Sequence, residues 1–420
     1  MSIDNFLLSS NTTDLNYPEV RPTLDLNFAR VKALDPRITF TRASGGSYTD
    51  VNGLIKYAGV NEPRFDHDPY TGESLGFLVE EARTNSFLYS EQLDNAAWRK
   101  FYITTTANAG LAPDGTTTAE LITTASTTAQ KYFDQFPQPV LQTSSNYCVS
   151  FFVKLISGTG DATSVSISSA NGSISPIYAS YELRLDSFAE STGGILPSGR
   201  GYTIFPNGWV RMYMVFNTST QTNADIQFRF GTNDTVSSYH VWGYQFEQGS
   251  FPTSYIPTEA SSRTRAVDAA SITGKNFSSW YNQSEGTLAA TFTWRAGVGY
   301  QFAWNIEQNG ENQVYVGNWG QAFQYLGVRF NNNQVTSSIA IPNTGINIVC
   351  KTATAMKSNN FSVVSNASTP ATYTDAPLAS NMHKLDIMNL GGGYQLSGTI
   401  TRLTYYPKRL TDAQLQVLTR

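Results

Sequence analysis

Residues 207–216 read NGWVRMYMVF and residues 226–230 read IQFRF. In the second stretch Ile226, Phe228 and Phe230 alternate with Gln227 and Arg229. A period of two puts the apolar side chains on one face of an extended chain and the polar ones on the other. The first stretch continues the theme from Trp209 to Phe216. Similar segments bounded by Gly, Asn, Ser and Thr recur along the chain, and helix-period patterns are almost absent. The sequence therefore reads as all-β, with antiparallel sandwiches that turn one face to a core and the other to solvent. One helical signal stands near the end. Thr411 precedes DAQLQVL, and Gln414 follows it by three residues, the spacing of a capping box that opens a short helix carrying Leu415 and Leu418.

Composition supports a folded chain with ample core. Hydrophobic residues make up 40% of the 420, and 24 Phe, 23 Tyr and 7 Trp supply far more aromatic area than disordered chains contain. Net charge is -4 with no basic run, so the footprint that phosphate backbones require is missing and nucleic acid is not an expected partner. Cys148 and Cys350 lie about 200 residues apart and fall in different predicted domains, which reads as two buried thiols rather than a disulfide. The first twenty residues lack a basic n-region, and no run approaches about 18 apolar residues. Synthesis in a cytoplasm, without secretion or membrane insertion, is the corresponding expectation.

At about 150 residues per domain, the length suggests two or three domains. Residues 1–30 are polar and read as an attachment arm without a core of its own. Residues 31–86 hold most of the concentrated charge, including NEPRFDHDP and GESLGFLVEEARTN, with Gly53 at a turn. Residues 87–262 are dense in strand patterns, and residues 263–420 are strand-rich again. EASSRTRAVDAASITG, residues 259–274, has many small residues and little apolar periodicity, which predicts a linker or crossing strand. No repeat of 20 to 50 residues and no heptad run is visible.

Residues 40–85, FTRASGGSYTDVNGLIKYAGVNEPRFDHDPYTGESLGFLVEEARTN, closely resemble a module of bacteriophage structural proteins that precedes a carbohydrate-binding-like sandwich. The resemblance implies an irregular, charge-stapled shoulder on the next domain. Residues 87–258 begin with LYSEQLDNAAWRK, close with VWGYQFEQGSFPTSYIPT and carry Trp98, Trp209 and Trp242. They resemble jelly-roll carbohydrate-binding modules of phage fibres. GTLAATFTW and GTITRLTYYPKRLTDAQLQVLT, in residues 275–420, are similar to the first and last strands of concanavalin A-like or laminin-G-like domains. A fold of this kind does not by itself deliver a function.

Sugar rings stack their C–H faces on exposed aromatics while amides and carboxylates read the hydroxyls. Trp304, Tyr315, Trp319 and Tyr325 cluster in sequence among Asn and Gln residues and are the predicted glycan contacts. Trp319 lies between Gly317 and Gly320, which favours a bend and a projecting indole. Trp209 and Trp242 are assigned to packing. Sandwich lectins often hold a structural Ca2+ on carboxylate and carbonyl oxygens, and Asp94 and Glu247 are the candidate ligands, with a metal-free hydrogen-bonded site as the alternative.

Glycoside hydrolysis needs two carboxylates about 5 to 10 Å apart. The nearest candidates are Glu80 with Glu81 and Asp66 with Asp68, outside the lectin-like regions, and salt bridges to Arg64 and Arg83 are the competing role. His67, His240 and His383 are too scattered for a transition-metal cluster or a nucleophile pair. The resemblance implies an adhesin on a phage particle, in a tail fibre or capsid fibre, and the residue reading makes it a non-enzymatic one. Its partners would be other virion proteins and host cell-surface polysaccharide. A homotrimer is expected, because fibres attach on three-fold axes and weak sugar sites gain from multivalency. A purely structural decoration protein and a polysaccharide depolymerase are the rival readings.

Overall fold

The computed structural model describes residues 17–420 except 160–163, 169–178, 195–196, 232–233, 295–299, 320–322, 332, 335–338, 343–347 and 391–393. The chain divides into two compact units. One comprises residues 41–268 with 296–298, and the other residues 1–40, 269–295 and 299–420.

The 41–268 unit is a β-sandwich. Among the described residues, one six-stranded antiparallel sheet runs in the order Gly199–Ile204, Val210–Asn217, Asn146–Ser157, Ser238–Gln248, Ala119–Thr124, Ile103–Gly110. The other runs Glu190–Gly194, Ala179–Arg184, Ser164–Ser168, Gln227–Phe230, Tyr132–Gln135, Trp98–Phe101. Alternation does what the sequence indicates: Phe228 and Phe230 turn inward while Arg229 does not. The Phe228 ring lies 4.8 Å from Phe151, 5.1 Å from Phe133 and 5.3 Å from Tyr244, within the distances at which aromatic pairs attract beyond their buried area. Trp98 joins this core and satisfies its indole N–H on the carbonyl of Tyr89. Trp209 and Trp242 sit in a second apolar cluster with Ile55, Phe152 and Tyr255, and both are packing residues.

The segment before the sandwich forms two hairpins, Gly46–Thr49 with Ile55–Ala58 and Arg64–His67 with Ser74–Val79. Asp50 accepts hydrogen bonds from the backbone of Asn52 and Leu54 and so shapes the first turn. Gly53 completes it at φ 74°, where a Cβ would come within 2.4 Å of the Pro69 carbonyl. Charge pairing fixes the segment to the unit. Arg64 donates to Glu80 at 2.7 Å and to Asp268 at 2.5 Å, and Arg42 donates to Asp268 at 3.2 Å, with all four side chains buried.

Two boundaries differ from those read in the sequence. Of the two readings of the 259–274 stretch, the structure shows strand rather than linker: Arg263–Arg265 pairs with Arg83–Asn85 and Ala269–Thr273 with Lys384–Ile387, Arg265 and Asp268 are buried, and the unit extends through residue 268 rather than 262. Charged residues without apolar periodicity look solvated until a distant partner is known. Residues 24–30 are likewise no free arm. Leu24–Asn27 pairs antiparallel with residues 402–405, Leu24, Leu26 and Phe28 are buried, and Asp25 receives both arms of the Arg402 guanidinium at 2.8 Å. The LDLNF alternation is an edge strand of the C-terminal unit. Residues 1–16 lie outside the described residues.

In that unit one sheet orders Ala371–Tyr373, Phe361–Ser365, Ile348–Lys357, Glu285–Trp294 and Gly398–Tyr406, with Leu24–Asn27 added to the last. A second orders Ala269–Thr273, Lys384–Ile387, Tyr300–Glu307, Gln313–Trp319 and Phe323–Phe330, with Ile339–Pro342 also paired to the last of these. The closing helix Asp412–Leu418 has the expected capping box: Thr411 Oγ1 accepts from the Gln414 amide, and the Gln414 side chain accepts from the Thr411 amide. Cys148 and Cys350 are both buried and are not joined in a disulfide.

Candidate functional site

The predicted glycan contacts of the C-terminal unit do not form an open site. Trp304 is 0% exposed, and Tyr315 is 4% exposed with its ring T-shaped against Phe302 at 4.9 Å. Both are core residues, a correction to the sequence reading. The glycines explain the error. A Cβ on Gly327 would meet the Tyr315 ring at 2.1 Å, and one on Gly317 would meet the Gln301 carbonyl at 2.5 Å. They allow close packing across strands rather than a bend. Trp319 ends the strand Gln313–Trp319 opposite Tyr300, not in a projecting loop, and Tyr325 pairs with Gly317 inside Phe323–Phe330. The side chains of Trp319 and Tyr325 lie outside the described residues.

The candidate calcium ligands are not brought together. Glu247 is fully buried and its oxygens are taken: Oε1 accepts from the Gln245 side chain and the Thr253 amide, both at 2.8 Å, and Oε2 from the Thr253 hydroxyl at 2.7 Å. Asp94 is exposed beside Glu120, and its amide donates to Glu120 Oε1 at 3.2 Å. The carbonyls an ion would use there are already engaged, since the Lys100 ammonium donates to Leu93 O at 2.6 Å and to Asn95 O at 3.4 Å. Among the described residues no group of three or more His, Cys, Asp and Glu gathers as metal ligands. Asp94 and Glu247 do not fit a shared Ca2+ site.

The carboxylates considered for hydrolysis have structural partners. Glu80 is 0% exposed and accepts from Arg64 and from the Ser254 amide and hydroxyl. Glu81 pairs with Arg83. Asp66 accepts from the Thr49 amide at 2.7 Å, and Asp68 accepts from the amides of Tyr70 and Thr71 and holds a turn. His67 faces the Thr49 carbonyl through Nδ1 at 3.0 Å.

What the fold does assemble is a polar sheet face on the 41–268 unit. Register across the second sandwich sheet places Ser191, Glu182, Ser166, Arg229, Tyr132 and Phe101 in one continuous row. The adjacent row is Gly193, Ser180, Ser168, Gln227, Asp134 and Arg99. Intervening residues such as Val165, Ile167, Leu183 and Phe228 are buried in the core, so the two rows share the other face. Arg229 is held along its strand by Gln227 Oε1 at 3.0 and 2.8 Å, and Arg99 grips Asp134 in a fork at 2.7 and 2.6 Å. Phe101 and Tyr132 stack at 4.4 Å, and Arg99 lies 4.5 Å over the Phe136 ring. A groove of 390 Å³ runs along this face, with Ser166, Glu182, Arg229 and Lys131 in its lining. The arrangement presents hydroxyls, both charge signs and a mutually stacked aromatic pair. Sequence reading missed it because the polar residues of an alternating strand look like an ordinary wet face. Only register shows that they line up.

A second concavity, of 460 Å³, opens beside the Gly46–Thr49 and Ile55–Ala58 hairpin. Tyr57 is 47% exposed at its wall. The buried Tyr255 hydroxyl donates to Glu91 at 3.0 Å, and the Thr116 hydroxyl donates to Asp114 at 2.6 Å. Burial, reinforced by the nearby Asp114 charge and opposed by the Tyr255 hydrogen bond, pushes the Glu91 carboxyl up to about 7.

No family model matches the sequence, and no curated protein matches it. Among solved structures, the chain is distantly similar to the CBM40 of the Ruminococcus gnavus IT-sialidase bound to α2,6-sialyllactose, at 14% identity, covering 33% of this chain and 85% of that one, with a TM-score of 0.28. It is similar to botulinum neurotoxin type C at 10% identity over 36% of this chain and 39% of that one, TM-score 0.29. A native heptameric SAP-like pentraxin from Limulus polyphemus matches at 12% identity over 32% of this chain and 70% of that one, TM-score 0.25.

Proposed function

We propose that this chain is a non-enzymatic adhesin of a bacteriophage particle that binds host cell-surface polysaccharide through the polar sheet face of its 41–268 unit. The observation that carries the glycan reading is the cross-strand row Ser191, Glu182, Ser166, Arg229, Tyr132 and Phe101. A row of this kind crosses the strands and offers alternating hydrogen-bond partners and one stacking surface, which suits an extended chain of hydroxylated rings. The placement on a virion rests on the resemblance of residues 40–85 to phage structural modules. A trimer suits that placement, because several shallow sites engaged together raise avidity by about 100-fold or more.

The test is binding of the intact chain to a polysaccharide array and to whole bacterial cells, repeated with Arg229→Ala and Tyr132→Ala. Glycan and cell binding that both variants weaken supports the reading. Absence of binding to any polysaccharide, or binding unchanged in both variants, removes it. Reducing-sugar release from a bound polysaccharide would replace the adhesin with a depolymerase.

A further inference from the structure

The strand Arg263–Arg265 pairs with Arg83–Asn85, so Arg263 and Arg265, two residues apart, project to the same side of this ladder. Both line the 460 Å³ cleft beside the Gly46–Thr49 hairpin. They differ in depth: Arg263 is exposed and Arg265 is 1% exposed. Gly46 makes room for the deeper one, since even a Cβ there would stand 3.2 Å from Arg265 Cδ.

Arg265 is in an unusual state for a buried cation. Its Nε lies 3.4 Å from Glu80 Oε2, yet none of its Nε, Nη1 and Nη2 groups makes a hydrogen bond among the described residues. Glu80 is ion-paired with Arg265, but the hydrogen bonds of the nearby carboxylates go to other groups, those of Glu80 to Arg64 and Ser254 and those of Asp268 to Arg64, Arg42 and the Glu80 amide. A guanidinium carries five donors in a planar fork that matches a carboxylate. Buried without acceptors, those donors are unfavourable, and an anionic acceptor reaching the inner wall relieves that cost.

We propose that this cleft is a second binding site, distinct from the sheet face, for a sugar bearing a carboxylate. The carboxylate is held between Arg263 at the mouth and Arg265 at the inner wall. The ring rests on the exposed face of Tyr57, and Asp114 with Thr116 accepts and donates to ring hydroxyls. The volume of 460 Å³ is within the range of small-ligand pockets, about 300 to 1,000 Å³, and accommodates a mono- or disaccharide rather than a long chain. A uronic acid and a sialic acid present the same charged group on a ring, so either satisfies the site.

Titration calorimetry on the full chain tests this with glucuronic acid, N-acetylneuraminic acid, glucose and acetate as separate probes. At least one acidic sugar should bind about tenfold or more tighter than glucose and than acetate, and weaken by a similar factor in Arg263→Gln. Arg265→Lys should lose the same preference, and because Arg263 is exposed, its variant keeps the test informative if Arg265→Lys does not fold. Arg229→Ala, on the sheet face, should leave this binding intact, so failure of one site is separable from failure of the other. Equal binding of glucose, equal binding of acetate, or full affinity in Arg263→Gln overturns the proposal.

Discussion

Arg64 and Asp268, 204 residues apart in sequence, close an ion pair of 2.5 Å in which neither side chain is exposed to solvent. Asp268 ends the 41–268 unit and Arg64 begins its second hairpin, so the pair ties the end of the unit to that hairpin. Removing one partner strands a buried charge, which costs about 3 to 5 kcal/mol. Asp268→Ala should therefore lower stability by that amount in chemical denaturation. A loss below about 1 kcal/mol, the usual value of an exposed pair, would show that the pair is solvated.

Trp304 and Tyr132 should respond in opposite ways. Trp304 is 0% exposed, and its truncation to Ala should cost about 3 to 5 kcal/mol of stability. Tyr132, stacked on Phe101 at the partly open sheet face, should lose little stability on change to Ala but weaken polysaccharide binding several-fold, from about 1 kcal/mol of aromatic contact. Melting and binding measured on both variants decide the matter, and reversal of this pattern would return the site to the C-terminal unit.

Deleting residues 1–30 should destabilise the C-terminal unit. The deletion removes the strand partner of residues 402–405 and the buried Leu24, Leu26 and Phe28. Each such side chain contributes about 1.5 to 3 kcal/mol when buried. Hydrogen exchange of the 402–405 amides should accelerate in the deleted chain. Unchanged exchange and unchanged melting would mean that residues 1–30 contribute nothing to the stability of the unit.

Glu120 carries a pH dependence whose sign follows from its surroundings. Burial, with the Asp94 carboxyl beside it, pushes its carboxyl from 4.5 up to about 8. The folded state thus binds a proton more tightly than the unfolded state does, and the associated stability is present below pH 4.5 and lost as pH rises through about 8. Glu120→Gln should flatten the fall in melting temperature over that interval. An identical pH profile in the variant would refute the assignment.

The period-two alternation at Ile226, Phe228 and Phe230, the capping box at Thr411 and Gln414, and the turn at Gly53 were legible from the sequence alone. Each depends on residues a few positions apart, and local backbone geometry decides it. The sheet-face row, the open donors of Arg265 and the burial of Trp304 and Tyr315 were decided by the tertiary structure. Whether an aromatic is core or surface, and whether a charge is paired or open, depends on which strand lies opposite. Here the opposing residues stand tens to hundreds of positions away, as Ser166 does from Arg229 and Arg64 from Asp268. Alternation marks two faces on every strand, and only pairing across the sheet determines which of them turns to the core.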